Sequence, residues 1–195
     1  MLERRRLIVL TDKAFGLLVT DFLDRAVPAL QVICALTSQA LAHAPTDFPL
    51  IGFLTRHYVP PALCRRGNLP AYNIHPGTPD YPGWMPEIRA ARDKAPVFGA
   101  TLHEMTPVID AGAIIATEYM PAQDAQNAQE AQDDQCAPDA DAYARIGFEC
   151  ALVLLGRFAR AIAEADQPLT PNGQNWTGAL MLRAEVEALM AGEID

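Results

Sequence analysis

Apolar positions in the first third of the chain switch between two periods. Leu7-Ile8-Val9-Leu10, closed by Thr11-Asp12, is a short unbroken apolar run, the pattern of a parallel strand covered on both faces and leading into a helix. Phe15, Leu18, Val19, Phe22, Leu23 and Ala26 then recur at helical spacing, predicting an amphipathic helix whose stripe packs on a sheet and which Pro28 ends. Val32-Ile33-Cys34-Ala35-Leu36-Thr37 is a second buried run. Strand, helix and strand in this order predict a right-handed parallel crossover, hence an α/β fold with a Rossmann-like, mostly parallel sheet flanked by helices. Residues 38–49 read as a short polar loop with a solvated His43, and residues 50–55 as the next strand. Arg56-His57-Tyr58-Val59-Pro60-Pro61 turns out of that strand toward a short helix around residues 62–66.

Further on, residues 70–75 form a central strand and Pro76-Gly77 opens a loop. Trp84, Met85, Ile88 and Ala91 give a moderate helical face beginning at Pro86, where proline suits a first turn, and Trp84 is assigned to packing. Residues 97–105 alternate as a strand that Pro107 ends, and residues 113–120 suit a further strand, antiparallel at one edge. Residues 121–141 are rich in Ala, Gln and Asp, with Asp124, Glu130, Asp133, Asp134, Asp139 and Asp141 and hardly any bulky apolar residue. A flexible acidic surface loop is expected there. Tyr143, Ile146, Cys150, Val153, Leu154, Phe158 and Ile162 predict the longest helix. Residues 168–178 are a loop in which only Gln174-Asn175-Trp176 suggest a contact to substrate or partner. Leu182, Val186, Leu189 and Met190 end the chain with a helix that suits the domain or a second copy, so a homodimer is open.

At 195 residues and 50% hydrophobic content the chain fits one domain over 1–195 with one substantial core. No apolar run is long enough to span a membrane, and Arg4-Arg5-Arg6 leads straight into a strand rather than a signal-peptide core, so a cytoplasmic protein without membrane contact is expected. Cys34, Cys64, Cys136 and Cys150 are scattered, with no His at ligand spacing, which argues for reduced thiols and no metal. The net charge of −9 argues against a nucleic-acid partner. Thr11-Asp12-Lys13-Ala14-Phe15 lacks the glycine-rich turn that lets backbone approach a phosphate, so neither a dinucleotide nor a P-loop nucleotide is expected.

Candidate chemistry lies in Asn73-Ile74-His75-Pro76-Gly77 and Val108-Ile109-Asp110-Ala111-Gly112. Residues i and i+2 of a strand share a face, so Asn73 and His75 point to one side. A carboxamide and an imidazole there suit oxyanion stabilisation, and a carboxylate such as Asp110 could orient the imidazole and relay a proton. Gly112 would allow a backbone conformation closed to other residues. Chemistry alone also admits a blander reading, since Asn-x-His pairs are common and a histidine beside proline is often a loop or core residue.

Tyr72-Asn73-Ile74-His75-Pro76-Gly77, Tyr81-Pro82-Gly83, Gly99-Ala100-Thr101-Leu102-His103-Glu104-Met105 and Asp110-Ala111-Gly112 together resemble the folate-dependent formyltransferase family, over roughly residues 48–120. The resemblance implies the formyltransferase fold, trimmed in its N-terminal half, and formyl transfer from 10-formyltetrahydrofolate to a small-molecule amine by direct attack and a tetrahedral intermediate. It implies no metal. A formyltetrahydrofolate hydrolase and a catalytically silent folate-binding protein are the alternatives. Asn73, His75 and Asp110 match the family's catalytic residues and His103 a supporting position. Arg56, His57, Tyr58, Ile109, Ala111 and Gly112 match the surroundings of the folate. Between His75 and Gly83 the segment Gly77-Thr78-Pro79-Asp80 is one residue shorter than the family's usual turn.

Overall fold

The computed structural model describes residues 5–122, 140–164 and 167–192. Four parallel strands lead: β1 (Arg5–Thr11), β2 (Leu30–Ala35), β3 (Leu50–Phe53) and, after a two-stranded side ribbon of β4 (Arg65–Arg66) and β5 (Leu69–Pro70), β6 (Tyr72–His75). Two long strands follow, β7 (Val97–Glu104) and β8 (Ile114–Pro121). The main sheet runs β2-β1-β3-β6-β7-β8, with β7 antiparallel to β6 and β8 antiparallel to β7 at the edge.

The unbroken apolar run of β1 explains its interior place in the sheet. Leu7, Ile8, Val9 and Leu10 are all fully buried, Leu7 and Val9 in one core cluster and Ile8 and Leu10 in another on the opposite face. The first cluster is closed by helix α1 (Gly16–Ala26) and by the later helix Ala140–Glu164, and the second by α2 (Ser38–Ala42) and the turns after β3. The helix at 140–164, about 38 Å long at 1.5 Å per residue, lies across β7, β6 and β1. Its Cys150, Ala151, Leu154, Leu155, Phe158 and Ile162 are buried, and Tyr143 donates to the carbonyl of Ala95 at 2.8 Å. The helices left to name in chain order are α3 (Pro86–Arg92), α4 for this long one (Ala140–Glu164), and α5 (Arg183–Met190).

Several expectations are corrected. Residues 38–49 are not all loop, because Thr37 accepts the backbone N–H of Ala40 through its hydroxyl at 3.0 Å and caps the short α2. The helix expected around 62–66 is a 3-10 turn at Pro61–Leu63 followed by β4, which pairs with β5. Leu18 and Val153 do not join the buried stripes: α1 turns Leu18 41% into solvent, and α4 turns Val153 42% outward. Residues 123–139, most of the expected acidic loop, lie outside the described residues. No described helix is long and apolar enough to cross a membrane, and no cluster of three or more metal-ligating side chains occurs among the described residues.

Candidate active site

Strand β6 puts Tyr72 and Ile74 into the α4-side core and leaves Asn73 and His75 on the other face. Antiparallel pairing sets His103 of β7 directly opposite Asn73, and Gly52 of β3 lies beside Asn73 on the other flank. Asp110 arrives from the connection between β7 and β8. The expected spacing brings all four together. Asp110 Oδ2 lies 3.2 Å from His75 Nδ1, and its Oδ1 lies 3.3 Å from His103 Nε2. Asn73 Nδ2 is 3.2 Å from that same His103 Nε2, so Asn73 joins Asp110 through His103 rather than directly. His103, matched by sequence to a supporting place, is the link of the cluster.

Asp110 Oδ2 also accepts the backbone N–H of Gly83 at 2.8 Å. Burial pushes the Asp110 carboxyl up, but the His75 ring, the His103 ring and the Gly83 amide outweigh it and hold it well below the usual carboxylate range. Burial pushes the His75 imidazole down, against the opposing pull of Asp110 and of the Tyr81 carbonyl. Both nitrogens of His75 face an acceptor, since Nε2 is 2.8 Å from the Tyr81 carbonyl. His103 Nδ1 donates to the carbonyl of Glu104 at 2.8 Å.

The loop between His75 and α3 is fixed from above by the segment before α5. Thr177 and Gly178 donate their backbone N–H groups to the Pro79 carbonyl, and Thr177 Oγ1 donates to Asp80 Oδ1 at 2.5 Å. Trp84 N–H donates to Met181, and Arg89 donates to Ala179 and Pro82 carbonyls. Gly83 is needed for this crossing: its φ is +103°, and a Cβ would lie 2.0 Å from the Met181 oxygen. Trp176, in a loop where sequence suggested only a contact of some kind, sets its ring edge-on to both histidines, at 5.7 Å from His75 and 5.1 Å from His103. Its Nε1 donates to the Gly112 carbonyl at 2.9 Å.

A cavity of about 750 Å³ opens on this cluster, within the range of small-molecule sites. Of the residues matched to the folate surroundings, Arg56, His57, Tyr58 and Ile109 line it, with Val59, Met105 and Val108 supplying apolar wall. Ala111 and Gly112 do not. Gly112 does not take a left-handed conformation either. It is required because a Cβ there would fall 1.8 Å from the Glu104 carbonyl oxygen, and the positive φ belongs to Asp110, at +44°. His57 Nε2 is 2.9 Å from the Leu36 carbonyl and 3.9 Å from Asp12, which turns its ring toward β1 and β2. Trp84, expected in packing, lines the cavity. His43 is exposed, as expected, and its ring Nδ1 donates to the Gln39 carbonyl of the helix it caps.

No family model matches the sequence, and no curated protein matches it either. Solved structures do. A 4-N formyltransferase from Francisella tularensis matches over 93% of this chain and 78% of its own, at 19% identity and a TM-score of 0.63. The formyltransferase PseJ from Anoxybacillus kamchatkensis, in complex with UDP-4,6-dideoxy-4-formamido-L-AltNAc and tetrahydrofolate, matches over 95% and 90%, at 16% identity and 0.67. Phosphoribosylglycinamide formyltransferase from Anaplasma phagocytophilum matches over 93% and 100%, at 15% identity and 0.59. At these identities the likeness is one of architecture: the chain is similar to enzymes that differ in acceptor, and it has the formyltransferase fold.

Proposed function

We propose that this protein transfers a formyl group from 10-formyltetrahydrofolate to a small-molecule amine, by direct attack of the amine on the formyl carbon. One observation carries the reading. A buried, ionised carboxylate, two imidazoles and a carboxamide form one connected network on the wall of a cavity of ligand size, at the tips of β6 and β7. The formyltransferase fold supports it, and so does the folate and amino-sugar product bound to PseJ.

In this reading the carboxamide of Asn73 and an imidazole N–H of His75 hold the oxygen on which negative charge develops. Asp110 keeps the His75 ring oriented and relays the proton that the attacking amine loses toward the departing folate nitrogen. Both donors are engaged internally, His75 with Tyr81 and Asn73 with His103, so each exchanges that partner for the developing oxyanion. The apolar wall around Val59, Met105 and Ile109 suits a flat heterocycle, with Arg56, His57 and Tyr58 at its border, while Gly112 supports the loop from behind. The network draws its polar groups and its walls from one domain.

The test is incubation with 10-formyltetrahydrofolate and a panel of small amines, following tetrahydrofolate release. Release that depends on a competent amine is the expected result. Equal release with water alone would make the protein a hydrolase. Absence of turnover, together with no thermal stabilisation by a saturating folate analogue, would refute the reading.

A further inference from the structure

Formyl transfer deprives two imidazoles of their resting partners as the oxyanion develops. His75 gives up the Tyr81 carbonyl, and Asn73 gives up His103. The torsion that sets the plane of an imidazole is soft, so hydrogen bonds and packing decide where each ring points. Trp176 is the neighbour that does not change hands. Its indole stands steeply across both rings, at 72° to His75 and 85° to His103. Its single polar atom, Nε1, is already engaged with the Gly112 carbonyl and has nothing left to offer a substrate. Both imidazoles line the cavity, whereas Trp176 is not among the described residues that do, so it meets them from outside the ligand space.

The bond to Gly112 adds a third tie. Gly112 follows Asp110 by two residues, so one indole spans both imidazoles and the loop that brings the carboxylate between them. The chain around Trp176 is anchored on both sides. Asn172 donates its backbone N–H to the Ile114 carbonyl at 2.9 Å, Gln174 Oε1 accepts from the Thr117 hydroxyl at 3.0 Å, and Thr177 is bonded to Pro79 and Asp80. The sheet edge and the loop after His75 therefore hold the indole without help from a ligand.

We propose that Trp176 is a positioning residue for formyl transfer, holding the planes of His75 and His103 while Asn73 and His75 exchange their internal partners for the oxyanion. This role rests on the formyl-transfer reading. Turning either imidazole drives one ring against the other, because the contacts are close to perpendicular. A tilted ring takes its N–H off the oxyanion but leaves the cavity walls as they were, so the loss falls on kcat rather than on KM.

Trp176→Leu and Trp176→Phe in the full chain test the role through two readouts. On a verified amine, Trp176→Leu is expected to lower kcat at least about tenfold, with KM within about twofold of wild type. Trp176→Phe keeps a ring against both imidazoles, loses the bond to Gly112, and should regain most of the rate. In the ligand-free protein, proton NMR of the imidazole N–H groups should show exchange with water at least about tenfold faster in Trp176→Leu. That rise should exceed the rise at the backbone amide of Leu154, buried in α4, which reports general loosening. Where a melting curve shows Trp176→Leu unfolded, Trp176→Met, nearer in volume, serves as the same test. Wild-type kcat in a folded variant, a loss carried by KM alone, a Phe variant as slow as Leu, or imidazole exchange that rises only as far as that of Leu154 would each overturn the role. Absent tetrahydrofolate release by the wild type would overturn formyl transfer itself and this role with it, a result distinguished from the others because it arises before any substitution is made.

Discussion

Asp110 adopts a left-handed backbone at φ +44°, a conformation that costs a residue with a Cβ about 1–2 kcal/mol. The cost is offset by what that conformation achieves, which is to aim both carboxylate oxygens at the two imidazoles and one of them at the Gly83 amide. Its depressed carboxyl stabilises the fold above the unfolded value of about 3.9, and that stability drains away as pH falls toward the folded value. His75 adds a loss of the same sign, beginning below about 6.5, where an unfolded imidazole gains a proton that the buried ring resists. Denaturant midpoints followed from neutral pH downward should therefore drop in two stages, the lower missing in Asp110→Asn and the upper in His75→Gln. A profile unchanged by either substitution would contradict this assignment. In turnover, Asn73→Ala and His75→Ala should each lose about two to three powers of ten while remaining folded. Wild-type rates from His75→Ala on a verified amine would remove the mechanism.

Between elements, the register of β3, β6 and β7 decides what these residues meet. Gly52 faces Asn73 across the β3–β6 pair, and a Cβ there would come within 2.5 Å of Asn73 Oδ1 and 2.9 Å of Met105 Cε. Gly52→Ala is expected to displace the carboxamide and cut kcat at least about tenfold, with a much smaller change in melting temperature than a core truncation such as Leu154→Ala, which should cost about 2–5 kcal/mol. Equal kcat in Gly52→Ala and wild type would show that Asn73 does not need its present position. This level was only partly legible in the sequence. Buried runs such as Leu7-Ile8-Val9-Leu10 announce strands because both faces are covered, and Asn73 and His75 share a face by simple alternation. The pairing of Asn73 with His103 depends on an antiparallel register thirty positions along the chain, which no local period encodes. Trp84 precedes a helix that begins at proline, so it belongs to no helical face and no local period announces its place on the cavity wall. The grip of residues 177–181 on the loop before α3 is made largely of backbone hydrogen bonds, which leave no side-chain pattern to read.

The whole molecule is a four-stranded parallel sheet extended by two antiparallel strands, and the candidate site sits where the two kinds of pairing meet. That seam explains why three separated motifs converge: β6 and β7 run in opposite directions, so the end of β7 lies beside the start of β6 with His103 opposite Asn73, and the connection to β8 folds Asp110 back onto His75 and His103. Net charge acts at this scale. At −9 the chain repels a polyphosphate backbone, so methionyl-tRNA should fail as acceptor in the amine panel even at low salt, where electrostatic attraction would be strongest. Formylation of the tRNA at a rate matching the best small amine would contradict that expectation. The crossing of residues 177–181 over the loop from Gly77 to Trp84 has a consequence for biosynthesis. The polar quartet, complete at Asp110, leaves the ribosome well before the segment that clasps the loop, so the sheet can form early while the centre becomes competent only once that segment has followed.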